Sequence, residues 1–127
     1  MPAVRLLLDT HVFLWWRADD KRLRATVRKA IAEAEIVFVS AASAWEAAIK
    51  VALGRLRIPD TVAAGVIDSG FEKLPINFSH AEGAARLPSH HQDPFDRMLI
   101  AQAAAEGLTL VTHDRRLKPY DVEILWT

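Results

Sequence analysis

Residues 4–10 read Val4-Arg5-Leu6-Leu7-Leu8-Asp9-Thr10, a short apolar run that ends at an acid. A nearly continuous apolar run is typical of a parallel strand that is covered on both faces, because neither face meets water. We therefore expect this strand to lie at the centre of a sheet. The acid at its carboxyl end is then placed where open α/β sheets bind their ligands.

Strands and helices alternate along the rest of the chain. Three further strands are predicted by apolar, β-rich runs at 36–39, 108–112 and 122–126, and a fourth, proline-limited candidate lies at 74–76. Helices are predicted at 11–18, within 19–33, and at 40–53, 59–69, 79–87 and 95–106. The helix at 40–53 carries Trp45, Ile49 and Leu53 on one side. The predicted fold is an α/β three-layer α/β/α sandwich on a mostly parallel central sheet.

The composition fits a single domain of ordinary globular type. The chain has 127 residues, 51% hydrophobic and 25% charged, which supplies one core and excludes disorder. No linker or repeat divides it, so we expect residues 1–127 to form one domain. The apolar run at 6–8 is too brief to predict a signal peptide or a membrane span. The absence of cysteine excludes disulfides and thiolate sites, and we expect a cytoplasmic protein.

Charge is balanced, with sixteen basic and sixteen acidic residues. Long-range attraction of the whole molecule to a polyanion is therefore excluded as the main source of binding, and any nucleic-acid contact must be local. One basic cluster lies within 17–29, and a second comprises Arg115, Arg116 and Lys118. A solvated helix face explains the first cluster at least as well as a binding surface does.

Four acids are predicted to lie at the same edge of the sheet. Asp9 ends the first strand and Asp114 follows the strand at 108–112, while Glu46 and Asp96 lie in the early turns of two helices. Carboxylates a few Å apart resist joint ionisation, and a divalent cation relieves that repulsion. Oxygen ligands without thiolates suit Mg²⁺ or Mn²⁺, and such a site supports hydrolysis of phosphodiesters.

Each acid also has a structural explanation, which the residues alone leave open. Asp9 can cap the helix that follows it, although a ligand site explains an acid at the end of a central strand better. Asp96 lies in Asp93-Pro94-Phe95-Asp96, which also reads as an N-cap, a proline at the first helical position and a stabilising acid. Glu46 can pair with Lys50. Asp114 can cap the turn at 115–116.

Histidines suggest a competing interpretation. His90, His91, Asp93 and Asp96 are close enough in sequence to imitate a zinc site, but adjacent histidines tend to point apart and loop histidines are usually solvated. We therefore do not expect zinc there. His11 and His113 flank the predicted acids and are placed to touch a substrate. The pair Trp15 and Trp16 is expected to pack in the core rather than stack on bases.

Four motifs resemble, in order and spacing, those of the PIN-domain family, and most closely those of its VapC-like toxins. They are Leu7-Leu8-Asp9-Thr10-His11, Ser43-Ala44-Trp45-Glu46, His91-Gln92-Asp93-Pro94-Phe95-Asp96-Arg97-Met98-Leu99-Ile100-Ala101-Gln102-Ala103 and Leu110-Val111-Thr112-His113-Asp114. The resemblance covers the whole chain. It implies a PIN-like fold and a Mg²⁺- or Mn²⁺-dependent endoribonuclease whose catalytic metal ligands are Asp9, Glu46, Asp96 and Asp114.

The resemblance also implies supporting residues and partners. Asp93 is expected to cap its helix, and Arg116 is a further candidate for holding RNA phosphates. Contact with the substrate or support of the metal ligands is expected from Thr10, Thr112, Arg97 and Arg115. The implied partners are RNA, a VapB-like antitoxin and a second copy of the chain in a homodimer, with no membrane.

Three other functions share parts of this pattern. A DNA nuclease, including a structure-specific flap nuclease, uses similar chemistry, but the chain is short for extra DNA-clamping elements. A phosphoacceptor signalling domain needs paired acids after the first strand and a lysine after a late strand, whereas this sequence has Asp9-Thr10-His11 and Thr112-His113-Asp114. A non-catalytic metal-binding or interaction module is the alternative if the acids are dispersed. Convergence of the four acids is therefore the deciding observation.

Overall fold

A five-stranded sheet runs through the middle of the computed structural model, which describes residues 4–127. Its strands are β1 (Arg5–Leu8), β2 (Ile36–Ser40), β3 (Glu72–Leu74), β4 (Thr109–Thr112) and β5 (Ile124–Trp126). All neighbours are parallel, in the spatial order β3-β2-β1-β4-β5. The apolar strand near the N-terminus is therefore central, as its sequence predicts.

Helices cover both faces of this sheet. They are α1 (Thr10–Ala18), α2 (Ala25–Glu33), α3 (Ala41–Ala52), α4 (Val62–Asp68), α5 (Phe78–Arg86) and α6 (Pro94–Glu106). A 3₁₀ turn follows β4 at Arg115–Leu117. The predicted three-layer α/β/α sandwich is confirmed, and the sheet is parallel throughout. Within the described residues, no helix has the length and apolar character needed to cross a membrane.

Alternate residues of β1 enter two different cores, one on each side of the sheet. Leu6 and Leu8 belong to the core beneath α1, α2 and α4, whereas Leu7 belongs to the core beneath α6. Burial of a leucine side chain contributes roughly 1.5–3 kcal/mol, so three adjacent buried leucines fix the strand firmly. This double coverage explains why the run has no polar member between Leu6 and Leu8.

Local caps set the helix boundaries near the carboxyl edge of the sheet. Ser40 caps α3 through the N–H of Ala42, and Asp93 caps α6 through the N–H groups of Phe95 and Asp96. The helix ends at Gly107 with φ 66°, a left-handed conformation that glycine adopts without a Cβ clash. The expectation that Asp93 is a helix cap agrees with this geometry.

Three predicted elements were misplaced by two residues or more. The last strand, predicted at 122–126, begins only at Ile124. The strand predicted at 74–76 lies instead at Glu72–Leu74, because Pro75 has no N–H for the ladder and the strand ends before it. The helix predicted from residue 59 begins at Val62, because Thr61 caps it by accepting the N–H of Ala64 at 3.1 Å.

The apolar side of α3 does not face the core. Trp45 is 64% exposed and Leu53 is 60% exposed, while the buried side is made of the small residues Ala42, Ser43 and Ala47. Small side chains let this helix lie close to the sheet. Its large apolar residues are consequently left on the surface.

Candidate active site

A polar cavity of about 300 Å³ opens at the carboxyl ends of β1 and β4. The chain leaves β1 toward β2 on one side of the sheet and returns to β4 on the other, so this is the switch point at which α/β sheets bind ligands. The N–H of Asp9 donates to the carbonyl of Val111 at 3.0 Å, which holds the two strand ends together.

All four predicted acids line this cavity, and each comes from a different part of the fold. Asp9 follows β1, Glu46 belongs to α3, Asp96 lies in the first turn of α6, and Asp114 follows β4. The convergence expected from the sequence is therefore observed. A dispersed arrangement, which would have favoured a non-catalytic module, is not what the fold builds.

Asp9 is the most buried of these acids, with 4% of its surface exposed. Its carboxylate accepts the N–H of Val12 at 2.7 Å and the hydroxyl of Thr112 at 2.5 Å. Burial raises the pKa of Asp9 to about 7, although those two hydrogen bonds lower it, and the charges of Asp96 and Glu46 raise it further. The donors to Asp9 are neutral, so the ionised carboxylate lacks a full countercharge.

Asp96 shows the same effect more weakly. Burial raises its pKa to about 6, and the charges of Asp93 and Asp114 act in the same direction. The hydrogen bond to His91 opposes the increase. Ionisation of both Asp9 and Asp96 is thus disfavoured in the absence of a cation.

The other two acids are paired with basic side chains. Lys50 donates to Oε2 of Glu46 at 2.9 Å. Arg116 donates to both oxygens of Asp114, at 2.9 Å from Nε and 2.8 Å from Nη2, and thereby lowers the pKa of Asp114. Asp114 also caps the 3₁₀ turn by accepting the N–H of Arg116 at 3.0 Å. Glu46 and Asp114 therefore have the structural roles that the sequence suggested, and both also line the cavity.

Hydroxyl groups orient two of the carboxylates. The hydroxyl of Thr10 lies 2.7 Å from Oε1 of Glu46 and 2.9 Å from Oγ of Ser43. Its single proton goes to the carboxylate, so Thr10 accepts from Ser43. Thr112, which is fully buried, holds Asp9 in the same way. Both threonines thus contact a predicted metal ligand, and their supporting role stays a prediction.

Arg97 does not line the cavity. Its guanidinium donates to the carbonyls of Ala84, Leu87, Pro88 and His91 at distances of 2.8–3.2 Å. The expected contact of Arg97 with a substrate phosphate does not fit this geometry, because the donors are directed at the backbone of the last turn of α5 and of the loop that follows it. Arg115 and Arg116 do line the cavity, and the guanidinium of Arg115 lies 4.4 Å from the ring centre of Trp126.

His91 is buried and contacts the acids, whereas the sequence analysis considered it only as part of a zinc site and expected a loop histidine to be solvated. The expectation of a solvated ring is wrong for His91. Its Nε2 lies 2.9 Å from Oδ2 of Asp96 and 3.7 Å from Oδ2 of Asp114, and the three donor atoms form a group within 4.8 Å. His90 instead lies edge-on to Tyr120, so the adjacent histidines do point apart. In the sequence, His91 begins the third PIN-like motif and lies five residues before Asp96, but neither feature distinguishes a buried ring from a solvated one.

The donor set suits a hard divalent cation. Carboxylate and hydroxyl oxygens are the ligands that Mg²⁺ and Mn²⁺ prefer. Burial is the main cause of the raised pKa values of Asp9 and Asp96, so the ionised forms of both carboxylates are poorly solvated. A cation bound between them would favour their ionised forms.

The family model of the PIN domain matches residues 6–123, and the chain belongs to the PIN domain family. It is 35% identical over 118 residues to ribonuclease VapC22 of Mycobacterium tuberculosis, a match that covers 91% of each protein. This agreement supports the resemblance that the motifs had indicated.

Solved structures show the same fold. One is VapBC2 from Rickettsia felis bound to a DNA fragment from their promoter, with a TM-score of 0.72, 13% identity, and coverage of 96% of this chain and 98% of that chain. Another is the VapBC-5 toxin-antitoxin system from M. tuberculosis, with a TM-score of 0.64, 23% identity, and coverage of 99% and 100%. The PIN-like fold predicted from the motifs is confirmed.

Proposed function

We propose that this chain is a Mg²⁺- or Mn²⁺-dependent endoribonuclease, the cytoplasmic toxin of a toxin–antitoxin pair, built as a single nuclease domain over residues 1–127. The observation that carries the proposal is the meeting of four carboxylates from four elements in one cavity. Membership of the PIN domain family and 35% identity to a ribonuclease favour RNA as the substrate over DNA.

The carboxylates of Asp9, Glu46, Asp96 and Asp114 would hold the cation. Such a cation would supply an activated water as the nucleophile and would stabilise negative charge on the phosphoryl oxygens. The protein's own part is to fix the carboxylates beforehand. Thr112 and the start of α1 orient Asp9, and Thr10 orients Glu46.

Basic side chains beside the acids would hold the RNA backbone. Lys50, Arg115 and Arg116 line the cavity, and the side chain of Arg116 is 69% exposed. A guanidinium group can donate two parallel hydrogen bonds to the oxygens of one phosphate. The two arginines are therefore suited to bind the phosphates that flank the cleaved bond. Because the chain has no net charge, this local cluster is the part that attracts RNA.

The test is cleavage of a mixed-sequence RNA by the purified full chain with Mg²⁺, with Mn²⁺ and with EDTA. Asp9→Asn and Asp96→Asn should abolish cutting, because each removes a carboxylate charge at nearly constant shape. Glu33→Gln is the matched control, since Glu33 is exposed on α2 and pairs only with Lys29. Cutting that persists in EDTA, or in Asp9→Asn, would contradict the proposal.

The antitoxin partner is proposed to bind an apolar groove beside the acids. A cavity of about 410 Å³ is lined by α1 and residues 56–65, and it adjoins the acid cavity at His11. A peptide lying there would cover the entrance to the acids. We expect growth arrest when the chain is expressed alone and relief when the protein encoded beside it is co-expressed. Failure of that protein to bind the purified chain would remove this part of the proposal.

The homodimer is proposed to use the exposed side of α3. Trp45 and Ile49 on α3 and Leu53 directly after it are large apolar residues on the surface, and burying them would be favourable. Sedimentation of the wild type should give a dimer, and Ile49→Glu should give a monomer. A wild-type monomer at all concentrations would contradict this assembly.

A further inference from the structure

A histidine behind the acid cavity joins two of its carboxylates. His91 is nine-tenths buried, and its Nε2 lies 2.9 Å from Asp96 and 3.7 Å from Asp114. Asp96 and Asp114 line the cavity, whereas the ring of His91 does not. The imidazole therefore reaches the carboxylates from the protein side, opposite the space that a cation or substrate would enter.

The backbone of His91 is itself held from two directions. Its N–H donates to the hydroxyl of Tyr120 at 2.9 Å, and that hydroxyl donates to the carbonyl of Pro88 at 3.0 Å. The carbonyl of His91 accepts from Arg97 at 3.2 Å. Because Arg97 follows Asp96 on α6, the helix that carries the acid also anchors the loop that supplies its partner.

We propose that His91 is a positioning residue. Its ring donates to Oδ2 of Asp96 and holds that carboxylate beside Asp114, in place for the divalent cation. This inference rests on the proposed function. Among the described residues no other side chain donates to Asp96, so His91 supplies the one side-chain hydrogen bond that fixes the orientation of this carboxylate. Groups that orient metal ligands in this way commonly change metal affinity 10–100-fold when they are removed.

Four versions of the full chain test the role: the wild type, His91→Leu, His91→Gln and His90→Gln. His91→Leu removes the donor, whereas the amide of His91→Gln keeps an N–H for Asp96. His90→Gln is the matched control, because His90 packs against Tyr120 and is not within reach of the acids. The dissociation constants of Mn²⁺ and Mg²⁺ are measured by titration, and folding is followed by circular dichroism.

We expect His91→Leu to weaken the binding of Mn²⁺ and of Mg²⁺ by a similar factor, roughly 10–100-fold in dissociation constant. His91→Gln should recover most of that loss, His90→Gln should bind like the wild type, and excess metal should restore RNA cleavage by His91→Leu in part. Unchanged metal affinity in folded His91→Leu would overturn the inference while leaving the nuclease proposal intact. Absence of metal binding by the wild type would instead overturn the nuclease proposal.

Pulsed electron paramagnetic resonance of the Mn²⁺-loaded wild type separates positioning from direct ligation. A positioning role predicts no nitrogen coupling that depends on His91. A coupling present in the wild type and lost in His91→Gln, together with a larger loss for Mn²⁺ than for Mg²⁺, would overturn the inference, since imidazole ligation favours the softer ion. If His91→Leu does not fold, His91→Asn takes its place, because its shorter side chain keeps polarity but loses the reach to Asp96.

Discussion

The two ends of α6 carry similar pairs in different surroundings. Near its start, His91 lies 2.9 Å from Asp96, and near its end, His80 lies 3.0 Å from Glu106. His80 accepts the N–H of Asn77 at Nδ1, so its other nitrogen carries the proton that Glu106 receives. Every polar atom of the His80 ring is thus satisfied within the protein.

The start of α6 is not balanced in this way. Four further carboxylates line the same cavity as Asp96, those of Asp9, Glu46, Asp93 and Asp114. Burial raises the pKa of Asp9 to about 7 and of Asp96 to about 6. The histidine–carboxylate pair at the end of the helix links α5 to α6, and both ring nitrogens of its histidine already have hydrogen-bond partners. The pair at the start belongs to a cluster of carboxylates whose ionised forms need added positive charge to be stabilised. Such a local loss of stability is expected at a functional site.

The largest effect should separate the two ends by activity. Asp9→Asn should lower kcat/KM for RNA by about 10³-fold or more, because removing a metal ligand forfeits several kcal/mol of transition-state stabilisation. His80→Gln should leave kcat/KM within about threefold of the wild type. Steady-state kinetics at saturating Mg²⁺ measure both. Comparable losses in the two variants would erase the distinction.

The next effect runs the other way and concerns stability. His80→Ala should lower the free energy of unfolding by about 2–4 kcal/mol, because it opens a cavity and leaves the N–H of Asn77 and the carboxylate of Glu106 without their partner. Urea unfolding gives the value. A loss below about 1 kcal/mol would show that this end of α6 is not held by its polar pair.

A smaller gain is expected from Asp9→Asn in the metal-free protein. The pKa of Asp9 is raised on folding from 3.8 to about 7, so between these values the folded chain binds more protons than the unfolded chain. The contribution of Asp9 to the free energy of unfolding is therefore fully present below about pH 4, and it is lost as the pH rises through about 7. Asparagine keeps the helix cap without the charge. It should add about 1–3 kcal/mol in EDTA at pH 8 and nothing at pH 4.

Urea unfolding of the wild type and Asp9→Asn across this pH range is the check. A gain that is equal at both ends of the range would assign the effect to packing rather than to charge.

The smallest effect should come from the exposed side of the cavity. Lys50→Gln should lower the free energy of unfolding by no more than about 0.5 kcal/mol, because the side chain of Lys50 is 36% exposed and solvent screens its pairing with Glu46. The affinity for Mn²⁺ should not fall, since a competing positive charge is removed. A loss above about 1 kcal/mol would mean that this pair behaves like a buried one.

Most strands and helices of the fold could be predicted from short stretches of sequence. The leucines of β1 predict a strand covered on both faces, and Gly107 and Asp93 predict the ends of α6, because each signal depends on neighbours in the chain. The strand near residue 74 was misplaced by two residues, since the pairing of Leu74 with Ser40 is a distant contact. The exposed position of Trp45 on α3 was equally invisible, because an apolar residue looks the same in a core and on a surface.

The candidate site was predictable to the extent that strand ends locate it. Asp9 and Asp114 follow adjacent parallel strands, so their meeting follows from topology. The direction of a long side chain does not follow from topology. Arg97 is adjacent to Asp96 yet points to the backbone at the end of α5, and His91 points inward although its neighbour His90 does not. These orientations depend on partners such as Tyr120, which is distant in sequence.

The central claim is that the four acids form a cation site, and calorimetric titration of Mn²⁺ into the metal-free wild type and Asp9→Asn tests it most directly. The account predicts saturable binding to the wild type that releases more protons at pH 6 than at pH 8, because the pKa of Asp9 lies near 7. It also predicts at least about tenfold weaker binding to Asp9→Asn. Equal affinity in the two proteins, or no binding to folded wild type, would contradict it.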